Sequence, residues 1–240
     1  MDDRIVEPII NRPEPTTAPR GDAEPDVLVS LRSVFGVEPS VGVSIVDGAG
    51  EIRFANHRAA VLFLETTPET IIGRTLPDLY GEEWAAERLR VFERIEETGR
   101  PMIMRHIRNG QRLQSTIHLL STDDDAPSTF LVVTTEGEHD PDPDRPIEVF
   151  ESNVVHLGPL DPLSQRELEV LALVGHGMTA KQIGAALFRS HRTIEQHIES
   201  LRAKLHVARR EQLAEIAHRA GLQLADATKH RAPSPDAAAE

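Results

Sequence analysis

Glu195, Gln196 and Glu199 fall with Arg192 and Ala203 on one side of a helical stretch, and Ile194, Ile198, Leu201 and Leu205 fall on the other. That periodicity makes one stripe pack while the opposite face stays free. The free face carries a definite chemistry. A carboxylate accepts a hydrogen bond from cytosine N4, and a glutamine amide pairs through two bonds with adenine, so Glu195, Gln196 and Glu199 suit base edges in a major groove. Two carboxylates add nothing to the attraction for a polyanion. Affinity must therefore come from the rim, where Thr179, Lys181, Arg192, Thr193, Arg202, Lys204, Arg209 and Arg210 lie at or near helix ends and phosphate contacts are expected.

Three helix starts position these groups. Ser164 with Glu167 reads as a capping box, flanked by Leu163 and Leu168 as a hydrophobic staple. Thr179 with Gln182 repeats the device, with Met178 and Ile183 as its staple, and Gly177 suits the left-handed residue that ends the first helix. Ser190 caps a third helix by accepting from the Thr193 amide, after the short link Phe188-Arg189 that forces two helices into an angular pair. Leu168, Leu171, Val174, Ile183, Leu187 and, in a fourth helix, Leu213, Ile216 and Ala220 complete a small four-helix core.

From Leu163 to about Leu222, roughly a quarter of the chain, these residues resemble the LuxR-type (GerE-like) DNA-binding domain of bacterial transcription regulators. The matching positions include Arg166-Glu167, Leu171, Gly177, Ile183, Leu187, Ser190, Thr193-Ile194, His197 and Lys204-Leu205. The resemblance implies that Thr179 to Ile198 is the helix-turn-helix motif, that the Ser190 helix lies in the major groove, and that the last helix contributes to dimerisation. Two departures matter. Thr179-Ala180-Lys181-Gln182-Ile183-Gly184 stands where many members have Ser-Asn-Lys-Glu-Ile-Ala, which removes one phosphate contact, and Glu195, Gln196 and Glu199 stand where many members carry basic residues.

Charge is distributed to match. Residues 160–222 hold nine Lys or Arg against seven Asp or Glu, a small positive balance in a 240-residue chain of formal net charge −13. Such a balance predicts modest, salt-sensitive DNA affinity that depends on a dimer occupying two half-sites. A rival reading is an interaction protein whose helix-turn-helix binds DNA weakly or not at all. Enzymes find no support, since His-Glu-x-x-His, Gly-x-Ser-x-Gly and the P-loop pattern are all absent. No apolar run reaches the roughly 20 residues of a membrane helix, and the Met1-Asp2-Asp3-Arg4 start lacks a signal-peptide core, so a cytoplasmic location is expected. The chain has no cysteine, which excludes disulfides, cysteine-ligated metals and flavin-cysteinyl photochemistry. The acidic run at Asp140, Asp142 and Asp144 is interleaved with prolines and reads as solvated linker instead of a calcium loop, so no metal site is expected.

A second unit precedes the linker. Val41–Val46 and Glu51–Ala55 read as a hairpin turned at Asp47, Asn56 caps a short helix to Leu64, and Pro68 opens another that stops at Gly73. A helix over Glu82–Glu97 follows, then strands Met102–Arg108 and Gln111–Leu120 joined by Asn109-Gly110, and a last strand Phe130–Thr135. The antiparallel hairpins argue against a receiver domain with Asp47 as its acceptor, which needs parallel βα repeats. The run Asp47-x-x-Gly50-x-Ile52-x-Phe54-Ala55-Asn56, followed by Ile72-Gly73-Arg74, resembles the PAS sensor domain over roughly Val37 to Glu136. The resemblance implies a five-stranded antiparallel sheet cupping a ligand or a dimer partner, without naming the ligand. Trp84, Phe63, Phe92, Phe54, Met102 and Met104 suit either an apolar pocket or plain core. His57 and His106 are read as surface residues, which argues against haem.

The expected class is thus α+β: a PAS-like sheet with flanking helices, plus an all-α four-helix LuxR-type domain. The expected organisation is a disordered tail over 1–26, a sensor or dimerisation domain over 27–136, a linker over 137–159, the DNA-binding domain over 160–224 and a disordered tail over 225–240. Val27, Leu28, Leu31, Val34 and Phe35 form an amphipathic pattern that could pack on the sheet or pair two chains. The expected partners are double-stranded DNA and a second copy of the chain, with RNA polymerase an open candidate. The cofactor is undefined beyond a small molecule in the PAS-like unit.

Overall fold

The computed structural model describes residues 40–123, 126–144 and 146–232. The expected N-terminal tail, the amphipathic stretch Val27–Phe35 and residues 233–240 lie outside the described residues.

Strands β1 (Gly42–Asp47) and β2 (Ile52–Ala55) form the first hairpin. Asp47 is its turn residue. One carboxylate oxygen accepts from the Ala49 and Glu51 amides at 3.1 and 2.8 Å, and the other accepts from the Arg53 guanidinium. Asn56 then caps α1 (His57–Leu64): its Oδ1 accepts from the Ala59 and Val43 amides, and its Nδ2 donates to the Val41 carbonyl, stitching the helix to β1. Two short helices follow, α2 (Pro68–Ile71) and α3 (Leu76–Tyr80), then the long α4 (Glu82–Thr98). The sequence reading missed α3, which Thr75 caps ahead of a proline in the first turn.

Strands β3 (Met102–Arg108), β4 (Gln111–Asp123) and β5 (Ala126–Glu136) complete an antiparallel sheet in the order β2-β1-β5-β4-β3. Asn109 and Gly110 have φ of +49° and +66°, the paired left-handed residues of a type I′ hairpin. The five expected strands are present, and a sixth joins them. The segment read as linker contributes β6 (Glu148–Glu151), parallel to β3 from Met102↔Glu148 to Arg105↔Glu151. It covers an edge of unpaired backbone groups that would otherwise template association. Its own side chains are mostly exposed, so no buried alternation marked it in the sequence.

The C-terminal unit contains α5 (Gln165–Gly175), α6 (Ala180–Ala186), α7 (His191–Lys204) and α8 (Arg210–Arg219). Leu168, Leu171, Val174, Ile183, Ile194, Ile198, Leu201 and Leu213 are buried in one core. That core also includes Ile107 of β3 and Val155 and Leu157 of the former linker.

A second correction concerns the C-terminal tail. Residues Leu224–Thr228 form a 3-10 turn, and β8 (His230–Arg231) pairs in parallel with β7 (Val154–Val155). What orders them is a buried ionic joint. Arg112 on β4, 2% exposed at its side chain, donates to the Gly221 carbonyl at 3.2 Å and to Asp226, itself 1% exposed. Lys229 reaches the other Asp226 oxygen at 2.9 Å, Glu138 takes the Arg112 Nε at 3.2 Å, and Arg231 donates to the Leu163 carbonyl at 2.7 Å. A buried guanidinium keeps its charge only when its donors find acceptors, and here they do.

Candidate nucleic-acid interface

Local chemistry builds the helix-turn-helix. Ser164 and Glu167 form the full capping box of α5, the Ser164 amide donating to Glu167 at 2.7 Å while the Ser164 hydroxyl accepts from the Glu167 amide. Thr179 and Gln182 do the same for α6, with the Thr179 amide donating at 2.8 Å. The Ser190 hydroxyl accepts from the Thr193 amide at 3.1 Å and so starts α7. Between α6 and α7 the chain turns through Phe188, whose φ of +54° is left-handed and whose side chain is 88% exposed. The turn folds back onto α6: the Arg189 amide donates to the Gly184 carbonyl at 2.8 Å. A Cβ at Gly184 would come within 2.7 Å of the Arg189 carbonyl oxygen, so this close approach requires glycine.

The structure divides α7 as the periodicity requires. Ile194, Ile198 and Leu201 are buried, Leu205 is half-buried, and Arg192, Glu195, Gln196, Glu199 and Ala203 are exposed. On the exposed face each acidic residue has a nitrogen-bearing side chain beside it. His191 lies 3.5 Å from Glu195, and Arg202 lies 3.0 Å from Glu199. Arg192 and Gln196 have no side-chain hydrogen bond or ion pair among the described residues, so their polar ends are available to an incoming ligand.

The rim is less uniform than its composition suggests. Lys181 and Arg209 are exposed, and Thr193 is half-buried with its hydroxyl 2.8 Å from that of Ser190. Thr179 is exposed, but its hydroxyl donates to Gln182. Arg202 also donates to the Ala208 carbonyl, and Arg210 donates to the Met178 carbonyl, bracing the start of α8 against the α5–α6 turn. Lys204 is the clearest departure. Its ammonium donates to Glu167 at 2.7 Å and to the Pro162 carbonyl at 3.1 Å, so it ties the end of α7 to the start of α5 while its side chain stays partly exposed. Burial pushes the Glu167 carboxyl up, but hydrogen bonds from Lys204, Ser200 and Ser164 overcome this and hold it down at about 2. Arg189, exposed in the turn just before α7, is a basic side chain on this surface that the spacing arguments passed over; only its charge marked it.

The N-terminal unit holds a second feature. Between the sheet and α1, α3 and α4 lies a cavity with about 40 Å³ of water-accessible space. Of the residues that suited either a pocket or plain core, Phe63, Trp84, Phe92 and Met104 line it, whereas Phe54 belongs to a small cluster on the other side of the sheet and Met102 packs in the surrounding core. His57 is exposed, whereas His106, expected at the surface, is 1% exposed and stacks on Phe63 at 5.7 Å. The reason is that β3 is buried on both faces, with helices beneath it and the C-terminal core behind, so alternation no longer marks a solvent side. Burial first, then the guanidinium groups of Arg88, Arg108 and Arg112, hold the His106 ring neutral, well below the ordinary histidine range, against a weaker opposing pull from the Met104 backbone. Among the described residues no helix is long and apolar enough to cross a membrane.

Residues 161–217 match the family model described as bacterial regulatory proteins, luxR family. The chain is 44% identical over 61 residues to the transcriptional regulatory protein LiaR of Bacillus subtilis, covering 25% of this chain and 29% of that protein. It is 47% identical over 49 residues to a nitrate/nitrite response regulator protein homolog of Haemophilus influenzae, covering 20% and 24%. The chain thus spans less than a third of the length of these curated relatives. Among solved structures, a VqmA–ligand–DNA complex from Vibrio cholerae is similar at 18% identity and a TM-score of 0.43, over 85% of this chain and 92% of that one. The PAS domain of Bordetella pertussis BvgS is similar at 15% identity and a TM-score of 0.39, over 48% and 88%. At these scores neither likeness says anything about ligand or partner. The C-terminal unit of this chain is a helix-turn-helix domain of the LuxR family.

Proposed function

We propose that this protein is a sequence-specific, DNA-binding transcription regulator that acts as a homodimer in the cytoplasm and whose PAS-like unit receives a small-molecule signal. The observation that carries the reading is the outer face of α7, where Arg192 and Gln196 stand exposed and unengaged on a helix fixed by buried Ile194, Ile198 and Leu201. Gln196 reads a base, with Glu195 and Glu199 accepting from cytosine or excluding other bases, while Lys181, Arg192, Arg209 and the helix-start amides near Thr179 and Thr193 take phosphates. Arg202 and Arg210 contribute from braced positions, and Lys204 serves to hold the domain together. RNA polymerase is the macromolecular partner a DNA-bound regulator acts on.

The route from sensor to reader runs through α4. Buried Glu87 accepts from Arg88 at 3.3 Å, from the Asn153 amide at 2.9 Å and from the Ser152 hydroxyl, so it joins a cavity-lining side chain to the segment leading into the C-terminal unit. A signal at Arg88 then alters the placement of two DNA-reading helices in a dimer by favouring one of two arrangements. Binding of variant proteins to a selected DNA site and to its single-base variants tests the reading. Gln196→Ala is expected to relax discrimination at one base position by about 1 to 3 kcal/mol, whereas Arg192→Ala weakens all sequences alike. Uniform loss for Gln196→Ala removes the base-reading role.

A further inference from the structure

Three polar side chains on the cavity wall have buried nitrogen atoms without a hydrogen-bond partner among the described residues. These are Trp84 Nε1, Arg88 Nη2 and both ring nitrogens of His106. All three residues are at least nine-tenths buried. Unsatisfied buried donors are rare in folded proteins because each loses its water without a replacement, and three residues of one cavity wall carrying them mark a site shaped for an acceptor. The arrangement is rigid. The Arg88 guanidinium lies 3.4 Å from the centroid of the Trp84 ring, held by Nη1 donating to the Trp84 carbonyl at 3.1 Å and to Glu87, and Nη2 is left over.

Charge narrows the class of acceptor. Arg88 shares Glu87, but Arg108, 1% exposed and 5.0 Å from the Tyr80 ring, donates only to the Phe63 carbonyl at 2.7 Å and has no carboxylate partner among the described residues. Beside the cavity there is thus one more buried cation than buried anion, and a low-dielectric site of that kind favours a single negative charge. The remaining wall, with Val46, Ile52, Ile71, Leu76, Phe92 and Ile117, is apolar. The volume, about 40 Å³, corresponds to roughly three water positions and limits the occupant to a compact molecule.

We propose that this cavity binds a compact monocarboxylate, its oxygens accepting from Arg88 Nη2, Trp84 Nε1 and the N–H of His106, with a short apolar body against the aliphatic wall. This inference rests on the sensor reading given above and names its ligand class.

Trp84 is the only tryptophan in the chain, so its fluorescence reports this cavity and no other place. The test titrates the full-length protein with sodium propionate at constant ionic strength, and in parallel with propionamide, its neutral isostere, and with sodium chloride. A saturable change with propionate, at least about tenfold weaker with propionamide and absent with chloride, is expected, because a hydrogen bond to a charged group exceeds one between neutral groups. Arg88→Met, with its fold checked by far-ultraviolet circular dichroism, is expected to erase the difference between the two compounds. If that variant does not fold, the comparison of propionate with propionamide on the wild type decides alone. Equal binding of the two, tighter binding of propionamide, or no saturable response to propionate, meaning that the donors meet only water, overturns the proposal. A parallel titration of labelled DNA with the same preparation separates the outcomes: DNA binding that persists without a propionate response leaves the regulator reading standing, and its loss condemns that reading alone.

Discussion

Charged side chains do opposite work on the outer face of α7 and at the joint between the two units. On α7 they are exposed, paired loosely with a neighbour on the same helix or with nothing, as in His191 with Glu195, Glu199 with Arg202, and Arg192 alone. At the joint Arg112 and Asp226 are buried, and their polar atoms are taken up by Gly221, Glu138, Lys229 and the Gln223 amide. Exposed pairs contribute little to stability, which leaves those residues free to serve a ligand, whereas a buried pair fixes geometry because neither charge tolerates losing its partner. The same residue types thus hold the molecule in one place and face outward in the other.

The contrast breaks most visibly at Arg112. Arg112→Met is expected to cost about 3 kcal/mol or more, because it takes from buried Asp226 its buried cation and leaves it Lys229 and the Gln223 amide, and to expose residues 224–232 to proteolysis. Denaturant unfolding with limited proteolysis checks this; an unchanged midpoint and cleavage pattern would mean that the joint holds nothing together. Restoring apolar packing with Arg112→Met and Asp226→Leu together recovers much of the loss.

Glu167 lies between the two extremes. Its side chain is nearly buried, yet its partner Lys204 is more than a third exposed, so solvent weakens the pair. Glu167→Gln is expected to cost about 2 kcal/mol. The carboxyl is held at about 2 in the folded chain, below its ordinary 4.5, so its contribution is complete above about pH 4.5 and disappears as pH falls toward 2. Wild-type stability followed from pH 6 to pH 3 should therefore fall more than that of Glu167→Gln, and parallel curves would contradict the assignment. At the lower end, Arg192→Ala and Gln196→Ala are expected to change thermal stability by less than about 0.5 kcal/mol; a larger loss would mean that these side chains support the fold.

The parts legible in the sequence are those fixed within a few residues. Ser164, Thr179, Ser190 and Asn56 announced their helices because a cap and its amide lie two or three positions apart, and Asn109-Gly110 announced its hairpin because the backbone there must be left-handed. The exposed side of α7 followed from periodicity alone. What escaped depends on partners far along the chain. Arg112 meets Asp226 across 114 positions, β6 pairs with a strand more than 40 residues earlier, and His106 is enclosed by Phe63 and Trp84, which come from helices far before it in the chain. Alternation marks a surface only where one face of a strand meets water, and β3 has no such face. Lys204 misled for a related reason: its charge suggested a phosphate, but α5 brought a carboxylate to it.

The central claim is that the outer face of α7 and its rim meet a DNA backbone. Its most direct measurement is the affinity of the full-length protein for a duplex at a series of salt concentrations. With Lys181, Arg192 and Arg209 each neutralising a phosphate in both halves of a dimer, the account predicts a log–log slope of about −5. A slope near zero, or no binding at low salt, would contradict it.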